Sequence, residues 1–328
     1  MSGTSPHSPL RVWWTQRPPA AGAAVMATGV VSVGLDLAGH ETLSRIALVI
    51  ACAAWLGLAA EVALRLLRER ARWFSDAGTA GALTAVAATT VLGTRFSALG
   101  RQTLAEALLA LSAVLWPVLV VRVVGHGKRR MPGGVFLGCV AIQGLAVLGA
   151  TLAAAESAAW LAHTALVLFW LGLVLYGLAL YRFDLRQVLE GPGDQWIAGG
   201  ALAISALAGS KLIAADSARL YLWNDDDHGV LRAVTVVLLV LGLAWYAVLL
   251  VAEFAGPRRP RYDVRRWATV FPMGMTAVAA LAVSATLDVP WLETPGQVLV
   301  WISVAAWSAV AAGAVDTVRA AVRSTAPR

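Results

Sequence analysis

The sequence predicts an all-α integral membrane protein: ten transmembrane helices arranged as five helical hairpins. Three observations carry this. Ten apolar runs of about 20 residues follow one another. The loops between them are alternately rich and poor in Lys and Arg, and the runs alternate between small and bulky residues. Composition agrees: 59% of residues are hydrophobic and 14% charged, with a mean hydropathy of +0.71. A water-soluble domain this apolar would expose large aggregating patches.

The runs fall at 19–39, 44–66, 77–96, 103–124, 133–154, 157–180, 195–216, 230–252, 266–287 and 296–317. The fifth and sixth nearly touch at 153–157, which requires a tight outer hairpin containing Glu156. One uninterrupted helix there would overshoot the bilayer. Residues 1–18 read as a cytoplasmic N-terminal segment, 19–318 as the transmembrane domain and 319–328 as a basic cytoplasmic tail. The first 17 residues lack the apolar stretch and small-residue cleavage site of a signal peptide.

Orientation follows from the basic residues. Arg65, Arg68, Arg70 and Arg72 follow the second span, Lys128 to Arg130 the fourth, and Arg182 and Arg186 the sixth. Arg258, Arg259, Arg261, Arg265 and Arg266 follow the eighth, and Arg319, Arg323 and Arg328 the tenth. The alternate loops are poor in basic residues, and two are acidic, around Asp225 and from Asp288 to Glu293. Both termini are therefore expected in the cytoplasm, with the chain in the plasma membrane. The formal charge of +7 sits in these topogenic clusters, which argues against a nucleic-acid partner. Cys52 and Cys139 both lie inside apolar runs and form no CxxC or disulfide pattern.

The third span, from Gly78, and the seventh, from Ala198, are rich in Gly, Ala, Ser and Thr, as are the first and ninth. Even-numbered spans are bulkier and each carries a Trp: Trp55, Trp116, Trp170, Trp245 and Trp307. Small residues suit close packing or a path, and bulky ones suit lipid. The odd helices are accordingly expected to form an inner pore ring and the even helices an outer, lipid-facing ring.

Few polar residues lie within spans. Lys211 is on the small-residue seventh helix, about 7 Å from its outer end; it either attracts anions into a vestibule or snorkels, or pairs with Asp216. Arg95 ends the third span, and would either complete a basic funnel with Lys211 or anchor the interface. Gln143, in mid-span, lines a path or bonds a neighbouring helix. His163, Glu61 and Glu106 read as boundary residues, and Asp36 as a boundary residue and the first carboxylate to test for proton coupling. No HExxH, GxSxG, Walker or clustered His/Cys signature is present. Neither enzyme chemistry, a metal site nor a cofactor is therefore expected.

The first span contains Met26-Ala-Thr-Gly-Val-Val-Ser32 and the ninth Phe271-Pro-Met-Gly-Met275. Together with ten spans in hairpins, these resemble the tellurite-resistance/dicarboxylate transporter family, which includes malate and sulfite permeases and plant slow-type anion channels. Ala27 stands where the family's motif has Gly. The resemblance implies a pore through the inner helices that carries small anions: C4-dicarboxylate, sulfite, tellurite or an inorganic anion. It implies a gate at Phe271, which matches the pore-plugging Phe of the channel members, with Pro272 bending the helix beside it. Phe271 packed against that bend is the alternative. Thr28, Gly29 and Gly274, within the motifs, are implied to line the pore. A homotrimer is likewise implied by the family alone. The competing reading is a polytopic membrane enzyme or a non-transporting scaffold.

Overall fold

The computed structural model describes residues 21–68, 79–125, 131–216, 225–255 and 263–325. The N-terminal segment, the basic residues Arg70, Arg72, Lys128 to Arg130, Arg258, Arg259 and Arg261, and Arg328 of the tail lie outside them.

Ten long helices span the described residues: α1 (Ala21–Leu37), α2 (Glu41–Arg68), α3 (Thr84–Ala98), α4 (Gln102–Gly125), α5 (Leu137–Glu156), α6 (Ala159–Arg182), α7 (Ile197–Ala215), α8 (Asp225–Ala255), α9 (Trp267–Leu287) and α10 (Glu293–Thr325). Eight are long and apolar enough to cross a membrane; α1 and α3 are shorter. A 3₁₀ turn, Ala80–Leu83, leads into α3. Its steeper rise, added to the 15 residues of α3, brings that element to roughly 30 Å, a bilayer's apolar thickness. Short 3₁₀ turns also lead into α5, α7 and α9, so these inner helices share one style of entry. At α9 the entry is pinned. Asp263 accepts from the Arg265 backbone N–H, and its bond to the Arg265 side chain holds its carboxyl below the usual range. Arg266 pairs with Glu253 at the end of α8.

At the opposite end, four of the hairpins turn in the same way. Gly39, Gly100, Ser157 and Asp288 adopt positive φ just beyond α1, α3, α5 and α9. The next N–H reaches back five residues in each case: His40 to Leu35, Arg101 to Phe96, Ala158 to Ala153 and Val289 to Ser284, at 2.8 to 3.1 Å. This is the Schellman closure, which satisfies helix-end carbonyls and reverses the chain within a few residues. The tight hairpin expected at 153–157 is one instance. The corresponding turn after α7 falls in 217–224, outside the described residues.

The odd helices pack in a closed cycle, α1 on α3, α3 on α5, α5 on α7, α7 on α9 and α9 on α1. Each even helix packs on the odd helix before it. The apolar windows of α5, α7 and α9 are 83 to 89% buried, whereas those of α2, α4, α6, α8 and α10 are 11 to 33% buried despite similar hydropathy. Val49, Val114, Val167, Val237 and Val298 all stand exposed on the even helices. A helix this apolar and this exposed is compatible only with lipid as its solvent. The protein is membrane-embedded.

Tryptophans join the two layers. Trp55 Nε1 donates to Thr89 Oγ1 on α3, and Trp307 Nε1 donates to Thr28 Oγ1 on α1, both at 2.9 Å. Each reaches from an even helix to the odd helix that follows it around the cycle.

Candidate functional site

All five odd helices meet at one small cavity of about 20 Å³, enough for a single water. Each contributes two residues three apart: Val30 and Val33, Val91 and Thr94, Gly144 and Val147, Ile204 and Leu207, Met275 and Val278. Such pairs share a helix face. The repeated spacing therefore marks the axial face of every inner helix, and puts the five in a common register. Thr90 joins Thr94 in the lining, but neither hydroxyl presents polar surface to the cavity. Both hydroxyls donate to carbonyls of their own helix, Thr90 to Ala87 and Thr94 to Thr90. The rest of the lining is aliphatic or thioether.

One turn toward the basic end, the same faces carry Met26, Ala87, Val140, Gly200 and Phe271. All five are buried, and Phe271 has no exposed surface. A β-carbon added at Gly200 would lie 3.0 Å from Phe271 Cε1 and 2.9 Å from Pro272 Cγ. The phenyl ring thus rests against the one position at this level with no side chain. Pro272 lies inside the continuous helix α9. It has no N–H to offer the Ala268 carbonyl, so the backbone under the ring is missing one hydrogen bond.

Two turns beyond Ile204 in the other direction, Lys211 extends the axial face of α7 and is partly exposed. Beside it lies a charged cluster. Arg95 on α3 pairs with Asp36 on α1 at 2.9 Å, and Asp36 also acts electrostatically on Lys211. Arg95 Nε donates to Ser44 Oγ on α2 at 3.0 Å. Ser44 and Ser32 each donate to the other's backbone carbonyl at 2.7 Å. Asp36 thus faces two basic side chains, Arg95 in direct contact and Lys211 at longer range.

The voltage-dependent anion channel family model matches residues 16–315. The chain belongs to the SLAC1 family. That bears out the resemblance read from the two motifs, since the tellurite-resistance/dicarboxylate transporters and SLAC1 are one family. It is also 30% identical over 118 residues to two uncharacterized membrane proteins of Mycobacterium tuberculosis, from strains CDC 1551 / Oshkosh and H37Rv. The match covers 34% of this chain and 58% of each relative.

Within this SLAC1 chain, the structure redistributes the residues expected to line a path. Gln143 does not line it. The side chain is fully buried, lies against Gly172 of α6, and donates from Nε2 to the Phe169 carbonyl at 3.0 Å. Its neighbour Gly144 faces the cavity, and successive helical residues point about 100° apart. Thr28 is likewise turned to α10 by Trp307. Gly29 and Gly274 serve close packing of inner helices: an added β-carbon would lie 2.9 Å from Val91 at the first and 2.9 Å from Val30 at the second. Arg95 is no interfacial anchor, being 2% exposed, and Asp36 offsets its charge. Lys211 and Phe271 fall in helical register with the cavity-lining residues Ile204 and Met275 of their own helices. The aliphatic pairs, Thr90, Thr94 and the Asp36–Arg95 pair were missed from sequence; the i, i+3 spacing shared by the small-residue spans was the available signal. Gln143→Leu should leave anion flux per folded protein within about twofold of wild type while removing one buried hydrogen bond, about 1 kcal/mol of stability. Flux in proteoliposomes alongside thermal melting checks this.

Proposed function

We propose that this protein carries small anions along the axis of a ten-span barrel, as a passive pore closed by Phe271, with both termini in the cytoplasm. The observation that carries the reading is the convergence of all five inner helices, in one register, on a single axial cavity. Membership of the SLAC1 family supports anions as the cargo. Lys211, beside an Arg95 whose charge Asp36 offsets, raises the local concentration of anions at the mouth. The level of Phe271, one turn from the cavity, is filled by the buried ring, so passage requires the ring to leave the Gly200 position. A cavity surface with no polar atoms replaces none of a hydration shell. Anions that lose water readily should pass before strongly hydrated dianions. Among the described residues, those lining the cavity are Val, Thr, Gly, Ile, Leu and Met.

The test is flux through the purified protein in liposomes. Nitrate and chloride should move faster than malate or sulfite, and collapsing a pH gradient should leave the rate unchanged. Absence of any anion flux, in wild type and in a Phe271→Ala variant alike, would sink the reading. Lys211→Gln should lower flux at subsaturating anion about fivefold, the worth of about 1 kcal/mol of local attraction, and high salt should blunt the difference. Lys211→Arg should retain most of the wild-type rate.

A further inference from the structure

A second cavity, of about 130 Å³, opens on the flank of the barrel near the basic end of α6. Its walls come from the entries to α3 and α5 and from three helices: Val120 on α4, Gly138 and Cys139 on α5, and Leu175, Leu178 and Arg182 on α6. Two features separate it from the general lipid-facing surface. It reaches an inner helix, because Gly138 is partly exposed on a helix whose apolar window is 83% buried. A β-carbon at Gly138 would meet nothing within 4 Å, so the groove is open down to the α5 backbone. It also ends at a basic residue, Arg182, whose backbone is held in place. The Met131 N–H donates to the Arg182 carbonyl at 3.0 Å, and the Asp184 N–H returns to the Met131 carbonyl at 3.1 Å. These bonds clamp the α6 terminus against the start of the α5 entry, with Arg182 at the end of the groove.

We propose that this groove is a binding site for one anionic glycerophospholipid. An acyl chain lies along Leu175, Leu178 and Val120 over Gly138, and the phosphate meets Arg182. The chemistry selects this occupant. An apolar trough with an arginine among its lining residues, at the end of α6, matches an amphiphile with a negative head. A zwitterionic lipid fills the trough equally well and gains less from the charge. The site lies outside the axial cavity and shares no residue with it, so it stands apart from the transport reading.

Native mass spectrometry of the delipidated full-length protein in detergent tests it, with palmitoyl-oleoyl phosphatidylglycerol and the matching phosphatidylcholine offered in equal amounts. Wild type should retain one phosphatidylglycerol per chain in about fivefold preference to phosphatidylcholine, the effect of one basic group near a lipid surface. Arg182→Gln should abolish the preference and Arg182→Lys should keep it. Gly138→Leu should remove the retained lipid of either kind. Leu178→Trp, on the exposed wall of the groove, should do the same without touching the inner helix, so that a folding defect in the glycine variant does not decide the result. Equal retention of both lipids by wild type, or retention of phosphatidylglycerol unchanged in Arg182→Gln and Leu178→Trp, would overturn the proposal.

Discussion

Replacing Asp36 with Asn should destabilise the protein more than replacing Arg95 with Met, although the two substitutions break the same ion pair. The asymmetry comes from burial. Arg95 is 2% exposed and Asp36 28%, so removing the carboxylate strands a guanidinium that water cannot reach, while removing the arginine leaves a carboxylate that water can partly solvate. Breaking a buried pair from one side costs about 3 to 5 kcal/mol. Asp36→Asn should approach that figure, and Arg95→Met should fall clearly below it. The double variant should recover part of the loss, because no guanidinium is left stranded, although Lys211 still loses the nearby carboxylate. Denaturation in detergent, with the two single variants and the double compared, measures this. If Arg95→Met proves the more damaging, the Ser44 hydrogen bond is what matters, and Ser44→Ala would show it.

The second large effect is expected at Phe271. Truncation to Ala should raise anion flux per folded protein by about tenfold or more, equivalent to about 1.4 kcal/mol or more off the barrier. It should also cost about 3 to 5 kcal/mol of stability, since a fully buried ring is lost from a packed level. Two further variants separate gating from packing. Phe271→Trp keeps the level filled and should hold flux at or below wild type. Gly200→Ala puts a methyl 2.9 Å from Pro272 Cγ and 3.0 Å from Phe271 Cε1, and should shift the Phe271–Pro272 segment and raise flux while removing no bulk. Stopped-flow anion flux in liposomes, normalised to folded protein, reads all three. Flux unchanged in Phe271→Ala would remove the gate assignment and leave the ring as packing.

Much of the architecture was legible before any coordinates. The basic residues after alternate spans and the contrast between small and bulky runs are one-dimensional properties, because a bilayer sorts helices by length, apolarity and flanking charge. The tight turn at Ser157 was legible for the same reason, since two spans had to fit a fixed thickness. The site was much less legible. Inner helices such as α5 and α7 are apolar on every side, so no pattern of polarity tells which face meets the axis. Gln143 was a fair candidate on polarity, yet Gly144 beside it is the residue that faces the cavity. The pairing of Asp36 with Arg95 joins two helices through a contact between residues far apart in the chain. Nothing local to either residue announces it.

The sequence by itself determined that this is an apolar, multiply spanning helical protein with alternating helix types, and two short motifs pointed to its family. Only the tertiary structure decided which residues share the axis, that Phe271 rests against Gly200, and that Arg95 is neutralised while Lys211 falls in register with the cavity-lining residues of α7. The physical reason is that insertion into lipid depends on the summed apolarity of each segment. The rotation of each helix depends on packing between small residues, at Gly29, Gly144, Gly200 and Gly274, and that is a property of pairs.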